Sequence, residues 1–217
     1  MEKVALIVAG GKGERMDSIT PKQFLLLKNI PILMHTIKQF ISFDKIIVVL
    51  PASQFNYWQK LCKETPFLDK HILVEGGGSR FESVKNGLSR ITQQSMVAIH
   101  DGVRPLISKN LINKLMAEVK KGTGVVPITA VTNSIREVKK GGSRHVNRRN
   151  LYQVQTPQCF MFSEIKKAYQ QKNSGFFTDD ASVFESKGYK IATIFGEQKN
   201  IKITTKEDLK IAEAFMQ

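Results

Sequence analysis

The chain has 217 residues, of which 41% are hydrophobic and 24% charged, and it carries a formal net charge of +14. This composition is typical of a globular protein with one substantial core, and it excludes a membrane protein because no apolar run approaches the roughly 20 residues of a transmembrane helix; we expect a cytoplasmic protein. The positive charge attracts anions, but aromatic platforms among the basic residues and a groove-reading helix are both lacking, so we expect a phosphorylated small molecule rather than nucleic acid as the ligand.

Apolar runs rich in Val and Ile alternate with amphipathic stretches over most of the chain. Buried strands are predicted at residues 3–9, 45–51, 71–78, 95–101 and 123–128. Helical periodicity is found between them, at residues 32–42, 53–64, 79–91 and 108–122, with Ser79 as a candidate helix cap. This alternation predicts an α/β fold with a doubly wound, mostly parallel, Rossmann-like sheet and helices on both faces.

The pattern changes between about Thr129 and Gln155. This stretch alternates with period two around "KKGG", which predicts a protruding β-hairpin. It is polar on both faces, and its six Lys or Arg residues stand against one acid, Glu137. Because a two-stranded ribbon is only marginally stable alone, we expect residues 130–155 to form an arm that packs on a second copy and makes a homodimer. A basic loop without fixed structure is the alternative.

The remainder of the chain continues the same domain. Helices are predicted at residues 163–171, 179–188 and 206–216, and short strands at residues 190–196 and 200–204. There is no internal repeat and no linker-like composition. We therefore expect residues 1–217 to form a single domain that carries the arm.

The loop "AGGKGER" follows the first predicted strand. Ligands of open α/β sheets bind beyond the carboxyl ends of the strands, which is where this loop lies. Gly10, Gly11 and Gly13 let backbone N–H groups approach a ligand closely. Arg15 and Lys22 can place positive charge on phosphate groups. The stretch therefore predicts a polyphosphate site.

Two familiar phosphate motifs do not fit this loop. The P-loop pattern GxxxxGK[ST] is absent, and Met16 stands where a dinucleotide fingerprint needs its third glycine. With the following "TPKQF", the loop instead resembles that of the sugar-nucleotide pyrophosphorylase class, in which it wraps a nucleoside triphosphate.

Further motifs narrow this resemblance. They are "GGGSRFESVKNGL", "HDGVRP", "TPQCF", "TDDAS" and "NIKITTKEDL", in that order. Together with the opening loop they resemble the 2-C-methyl-D-erythritol 4-phosphate cytidylyltransferase family over essentially the whole chain. The resemblance implies transfer of a cytidylyl group from CTP to the polyol phosphate, with Mg²⁺, in non-mevalonate isoprenoid synthesis.

Other functions stay open at this point. Ribitol-5-phosphate cytidylyltransferases share the glycine loop, "PKQF" and "TPQ", but "TDDAS" and "SVKNGL" favour the methylerythritol enzyme. A non-catalytic nucleotide-binding module is more distant, because such a module could have lost the set Arg15, Lys22, Asp101 and Lys202, which is intact.

The resemblance also implies residue roles. The catalytic cations would be Arg15, Lys22 and Lys202, and Asp101 would hold Mg²⁺ or the ribose side of the nucleotide. CTP would be bound by Gly10, Gly11, Gly13, Gly76, Gly77, Arg80, Ser83 and Asp101. The polyol phosphate would be bound by Arg104, Ser134, Arg148, Thr156 and Asp179. Ser134 stands where family members often have Thr and keeps the hydroxyl.

Three residues also have simpler interpretations. Asp179 and Asp180 stand where a helix is predicted to begin, and either could be its cap. For His100, within "HDGVRP", a structural role is the better interpretation.

Overall fold

A computed structural model of the chain describes residues 1–10, 20–65 and 71–216. Its strands are β1 (Glu2–Val8), β2 (Leu26–Leu27), β3 (Ile30–Pro31), β4 (Lys45–Leu50), β5 (His71–Glu75), β6 (Ser95–Asp101), β7 (Thr123–Ala130), β8 (Ile135–Lys139), β9 (Gly142–Val146), β10 (Tyr152–Val154), β11 (Gln158–Met161) and β12 (Lys190–Phe195). Its helices are α1 (Ile32–Gln39), α2 (Phe55–Lys63), α3 (Arg80–Leu88), α4 (Lys109–Glu118), α5 (Phe162–Ala168), α6 (Asp180–Glu185) and α7 (Lys206–Phe215). None of these helices combines the length and the apolar character that crossing a membrane requires.

The central sheet has eight strands and is mostly parallel. β1 lies between β4 and β6, β5 lies beyond β4, and these four strands run in the same direction. β12 runs parallel to β7, whereas β10 and β11 are antiparallel to their neighbours. The predicted α/β fold is confirmed. The sequence patterns do not predict the antiparallel strand β11 between β6 and β7.

Both faces of the sheet are covered by helices. Along β1, the side chains of Val4 and Leu6 belong to one hydrophobic cluster, and those of Ala5 and Ile7 belong to the other. All four are fully buried, which is why the strand is a continuous apolar run rather than an alternating one. Helices α1, α2 and α4 pack on the face that carries Ala5 and Ile7, and α3, α5 and α6 pack on the face that carries Val4 and Leu6.

Helix α3 lies unusually close to the sheet. Its predicted cap is confirmed, because the hydroxyl of Ser79 accepts a hydrogen bond from the backbone N–H of Glu82 at 3.1 Å. A Cβ atom at Gly87 would lie 2.2 Å from Cδ1 of Leu6, so a residue without a side chain is needed there. With α3 packed this closely on the sheet, its first turn lies beside the carboxyl ends of the parallel strands.

The arm is shorter than predicted. β8 and β9 form the expected antiparallel hairpin, in which Lys139 pairs with Gly142 and Gly141 adopts a φ of +98° in the turn. The range of 130–155 is too wide, however, because Tyr152–Val154 forms β10 of the central sheet. Pairing along β7 satisfies the backbone of this segment, which the period-two pattern alone assigned to the ribbon.

The predicted strand at residues 200–204 is wrong. The alternation in "NIKIT" suggests a strand, but these residues pair with no strand of the described chain. Ile203 is instead buried against Leu27, Ile32 and Val103, and its N–H donates to the carbonyl oxygen of Val103 at 2.9 Å. The segment is therefore a loop anchored by a buried side chain and long-range hydrogen bonds.

Candidate active site

A cleft of about 690 Å³ opens at the carboxyl ends of β1, β4, β5 and β6. This edge of an open parallel sheet is where ligands bind in α/β proteins. The described residues that line it are Val8, Ala9, Gly10, Lys22, Gln23, Pro51, Ser53, Gln54, Gly77, Gly78, Ser79, Arg80, Ser83, Asp101, Val103, Lys202 and Thr204. Seven predicted site residues therefore come together here, from five separate parts of the sequence: Gly10, Lys22, Gly77, Arg80, Ser83, Asp101 and Lys202.

The other predicted site residues have different positions. Gly11, Gly13 and Arg15 lie outside the described residues. Gly76 directly precedes the lining residues Gly77 and Gly78. Five further residues are absent from the described lining: Arg104, Thr156 and Asp179, and the exposed Ser134 and Arg148 on or next to the arm.

Asp101 is the centre of the cleft's charges. Its Oδ1 lies 3.5 Å from Nε of Arg80, and its Oδ2 lies 3.2 Å from Nζ of Lys202 and 3.3 Å from Nε of Arg104. Burial opposes ionisation of this carboxyl, but the attraction of Arg80, Lys202 and Arg104 is stronger and holds the pKa of Asp101 well below its usual range. The carboxylate is therefore charged and a very weak base.

A second buried carboxylate holds Arg80 from the other side. Nη1 and Nη2 of Arg80 donate to the two oxygens of Asp180 at 2.8 and 2.7 Å, which is a bidentate pair. The hydroxyl of Tyr169 donates to Oδ1 of the same carboxylate at 2.6 Å, and Asp180 has no exposed surface. Burial of Arg80 disfavours its charge, yet Asp180 and Asp101 raise its pKa well above the ordinary value.

Sequence reasoning missed this role of Asp180. The residue was considered only as a helix cap, because "TDDAS" stands where a helix is predicted to begin. Asp179 is the actual cap: its carboxylate accepts from the N–H of Ser182 at 2.9 Å and from Nε2 of Gln158 at 2.8 Å. The only available signal was that α6 needs one cap whereas the motif offers two acids. The predicted contact of Asp179 with the polyol phosphate stays a prediction.

His100 and Thr156 form a hydrogen-bonded chain behind Asp101. Nε2 of His100 lies 3.0 Å from the carbonyl oxygen of Arg104, so Nε2 must carry the proton and Nδ1 must accept. Nδ1 therefore accepts from the hydroxyl of Thr156 at 3.0 Å, and that hydroxyl accepts from the backbone N–H of Asp101 at 3.1 Å. Burial lowers the pKa of His100 to about 4. This arrangement agrees with the structural role that we expect for His100.

The glycine turn after β5 is tied to α3 through Ser83. The Ser83 hydroxyl donates to the carbonyl oxygen of Ser79 at 2.9 Å and accepts from the N–H of Gly77 at 3.1 Å. A Cβ atom at Gly77 would lie 2.3 Å from Cβ of Glu82, so the turn requires glycine. Gly10, at the end of β1, faces the same hydroxyl, since a Cβ atom there would lie 3.6 Å from it.

The charge balance of the cleft favours an anionic ligand. Its described lining includes three cationic side chains, those of Lys22, Arg80 and Lys202, and one acidic side chain, that of Asp101. Even together with Asp180, which pairs with Arg80, this carboxylate does not balance the three cations. A mostly parallel sheet with a cationic cleft at its strand ends, preceded by a glycine-rich loop, defines an α/β protein of the nucleotidyltransferase class.

Comparison with known proteins identifies the family. The family model for 2-C-methyl-D-erythritol 4-phosphate cytidylyltransferase (IspD) matches residues 3–217, and the chain belongs to this family. A relative of that name from Bacteroides fragilis is 45% identical over 219 residues, which cover 100% of both chains. Another, from Azobacteroides pseudotrichonymphae, is 48% identical over 221 residues, which cover 99% of each chain.

A solved structure agrees with these matches. The structure of the Francisella tularensis 2-C-methyl-D-erythritol 4-phosphate cytidylyltransferase has a TM-score of 0.83 and 30% identity, over 99% of each chain. The family inferred from the motifs is confirmed, and with it the enzyme class, a cytidylyltransferase of isoprenoid synthesis.

The buried, hydrogen-bonded imidazole of His100 predicts how the free energy of unfolding depends on pH. The folded pKa of about 4 lies below the ordinary value of 6.5, so between these pH values the unfolded chain binds a proton that the folded chain does not. The unfolding free energy should therefore fall as the pH drops from 6.5 to 4, and His100 alone should account for roughly 3 kcal/mol.

Urea unfolding of the wild type and of His100→Gln at several pH values measures this contribution. The wild type should lose stability more steeply, by about 1.4 kcal/mol per pH unit. Burial also lowers the pKa of His35, but that residue is common to both proteins and cancels in the difference. Parallel stability curves over this range would contradict the assignment.

Proposed function

We propose that the family's reaction takes place in the cleft at the strand ends. The cytidylyl group of CTP is transferred to 2-C-methyl-D-erythritol 4-phosphate, which gives 4-diphosphocytidyl-2-C-methyl-D-erythritol and pyrophosphate. The observation that carries this proposal is the excess of cations at the edge of the sheet where α/β proteins bind nucleotides. The described lining holds Lys22, Arg80 and Lys202 but a single carboxylate, that of Asp101, and two reacting anions need such an environment.

The reaction needs no base from the protein. The attacking group is a phosphate oxygen, which is already largely an anion at neutral pH. A new bond forms between this oxygen and the α-phosphorus of CTP, and the bond to the β-phosphate oxygen breaks, so pyrophosphate leaves with the bonding electrons. The described lining includes no His, Cys, Tyr or Glu, and the low pKa of its one acid, Asp101, makes that group unsuited to proton removal.

The barrier comes from bringing anions together and from moving charge onto pyrophosphate. Cations fixed in place before the reaction lower such a barrier without reorganising. We assign Lys22 and Lys202 to the phosphates, and Lys202 to the α-phosphate in particular. Arg15, which lies outside the described residues, has the same proposed role. Loss of one such cation in other phosphoryl-transfer enzymes lowers the rate by on the order of 10³-fold.

We assign the nucleoside end of CTP to the glycine-rich side of the cleft. The Ser83 hydroxyl on α3 accepts from the N–H of Gly77 and lies close to Gly10, and the backbone groups of these two glycines follow the ends of β5 and β1. Positions without side chains let a flat base approach the backbone, whose N–H and C=O groups can distinguish cytosine from other bases. Arg80 is held rigidly beside this region by Asp180 and Asp101.

We also propose that Mg²⁺ takes part, held by Asp101 together with the phosphates of CTP. No group of three or more His, Cys, Asp and Glu side chains in the described ranges could hold a metal by itself. A single carboxylate fits this cation nevertheless, because Mg²⁺ is commonly bound by one or two carboxylates plus substrate phosphates. When bound, it would neutralise phosphate charge beside the cations of the cleft.

A homodimer is the assembly that the arm and its surroundings favour. Val138 on the arm is 78% exposed and Phe195 at the end of β12 is 74% exposed. The ring of Phe195 contacts that of Tyr152 on β10, at a centroid distance of 6.2 Å, and Val154 beside it is also exposed. The contacting rings of Phe195 and Tyr152 form an exposed apolar patch, which is typical of a surface that another chain covers, and Val138 adds a separate exposed side chain on the arm. We propose that a second copy does so and that Ser134 and Arg148 bind the polyol phosphate of the partner's cleft.

The choice of acceptor is tested by pyrophosphate release from CTP. Turnover is expected with 2-C-methyl-D-erythritol 4-phosphate and should be lower by on the order of 10²-fold with ribitol 5-phosphate. Lys22→Ala is the inactive control, with a loss of about 10³-fold at unchanged circular dichroism. A preference for ribitol 5-phosphate would replace the substrate assignment, and no turnover with either would contradict the proposed reaction.

The metal is tested by its removal. Excess chelator should abolish pyrophosphate release, and added Mg²⁺ should restore it, because phosphate charge would otherwise be left without its divalent partner. The unfolding midpoint without CTP should not change on chelation, since the proposed binding needs the substrate phosphates. Full turnover in excess chelator would remove Mg²⁺ from the proposal.

The crossing arm is tested by mixing two inactive proteins, Lys22→Ala and Arg148→Ala. A mixed dimer would contain one cleft with both defects and one with neither, so up to half of the wild-type activity per mixed dimer should return. Lys140→Ala removes a charge from the turn of the arm and should keep nearly full activity. If mass spectrometry shows subunit exchange but no activity returns, Arg148 serves its own subunit.

A further inference from the structure

Asn200 is a fully buried polar side chain two residues before Lys202. Its amide nitrogen donates to the carbonyl oxygen of Thr156 at 2.9 Å and to Oε1 of Gln155 at 3.3 Å. Its side-chain oxygen is buried without a hydrogen-bond partner among the described residues. A buried, unsatisfied oxygen is unfavourable, so the two hydrogen bonds that the amide donates have to offset its cost.

These hydrogen bonds fix a loop that has no strand partner. Nε2 of Gln155 donates to the carbonyl oxygens of Glu197 at 2.9 Å and of Asn200 at 3.3 Å. Nη1 of Arg104 donates to the same carbonyl oxygen of Asn200 at 2.9 Å. Asn200 is thus held through its side chain and its backbone, and its hydrogen bonds with Arg104, Gln155 and Thr156 each join the loop to a residue at least 44 positions away in sequence.

The position of this loop determines which part of the cleft the amine of Lys202 can reach. The Lys202 side chain is long and 41% exposed, and its contact at the far end is Asp101, at 3.2 Å. A flexible side chain loses entropy when it is held in one place, so a fixed backbone origin is what makes its charge available at one point. Displacement by about 1 Å of a group that acts on the reacting phosphate can lower the rate by on the order of 10²-fold.

We propose that Asn200 is a positioning residue that holds Lys202 in the cleft through its hydrogen bonds to Gln155 and Thr156. Because Thr156 also accepts from the N–H of Asp101, the same contacts set the distance between the lysine and the carboxylate. The inference rests on the proposed role of Lys202 in binding the α-phosphate.

A double-mutant cycle separates positioning from general stabilisation. Asn200→Ala should lower kcat by on the order of 10²-fold, with a smaller change in KM for the polyol phosphate. In a Lys202→Met background the same substitution should lower kcat less than about threefold, because the group that it positions is already absent. An equal factor in both backgrounds would mean that Asn200 acts by another route and would overturn the proposal.

Gln171→Ala is the matched control. This residue also carries a partly buried amide, which donates to Ala168, Val183 and Ser186 at the ends of α5 and α6. Its loss should lower stability and leave kcat unchanged. If Asn200→Ala does not fold, Gln155→Leu removes the hydrogen bonds between Gln155 and Asn200, keeps that from Asn200 to Thr156, and should give a cycle of the same sign.

A second measurement does not depend on turnover. Acetylation of lysines by an amine reagent, followed by peptide mass spectrometry, reports how well each amine is covered. Lys202 should react at least about threefold faster in Asn200→Ala than in the wild type, because its contact with Asp101 is loosened, whereas the exposed Lys206 should react equally in both. Unchanged labelling of Lys202 would overturn the positioning role even if the proposed reaction were wrong. A wild type without turnover would contradict the proposed reaction alone.

Discussion

The buried carboxylate of Asp101 is the interaction on which the site depends. A charged group without partners is very unfavourable in a protein interior, so this position requires cations close by. They come from the start of α3, from the turn after β6 and from the loop before α7, and each of these segments is held where its cation can reach the carboxylate. The ion pairs add little to stability once desolvation is counted, but removing one cation would leave the buried carboxylate with weaker compensation. The cluster therefore fixes the positions of these charged side chains more than it stabilises the fold.

The cations of the cluster also differ in how far they are committed to contacts within the protein, and this difference suits the cluster to nucleotide chemistry. Arg80 is shared by two carboxylates and Arg104 donates to both Asp101 and the backbone of Asn200, so these two guanidinium groups are committed to the protein. The Lys202 amine makes its contact at the surface of the cleft, where its side chain is 41% exposed. A bound phosphate can share such an amine without leaving a buried charge unpaired. The arginines thus serve as scaffold, and Lys202 is a cation that a ligand can share.

The repeating parts of the fold could be predicted from sequence, because they depend on local patterns. Fully buried strands such as β1 are continuous apolar runs, and the N-cap residue Ser79 marks the beginning of α3. The predictions are wrong where long-range contacts, rather than the local pattern, determine the structure. "NIKIT" alternates like a strand, yet Ile203 is buried against residues more than 90 positions away, and Tyr152–Val154 joins the central sheet instead of the arm. Within the site, motif resemblance led to Asp101 and Lys202, but nothing local distinguishes Asp179, which caps a helix, from Asp180, which binds Arg80 across 100 positions.

The absence of a titrating group from the described lining of the cleft has a consequence for regulation by acidity. Asp101 stays ionised throughout the physiological range, and the cationic lining consists of lysine and arginine side chains. Between pH 6 and 8 Asp101 would therefore keep its charge, and the described lining includes no histidine, whereas a phosphate monoester gains its second negative charge near pH 6. The rate profile of such an enzyme would follow the ionisation of its acceptor. Acidification would then slow the step by altering the metabolite itself, while Asp101 keeps its charge.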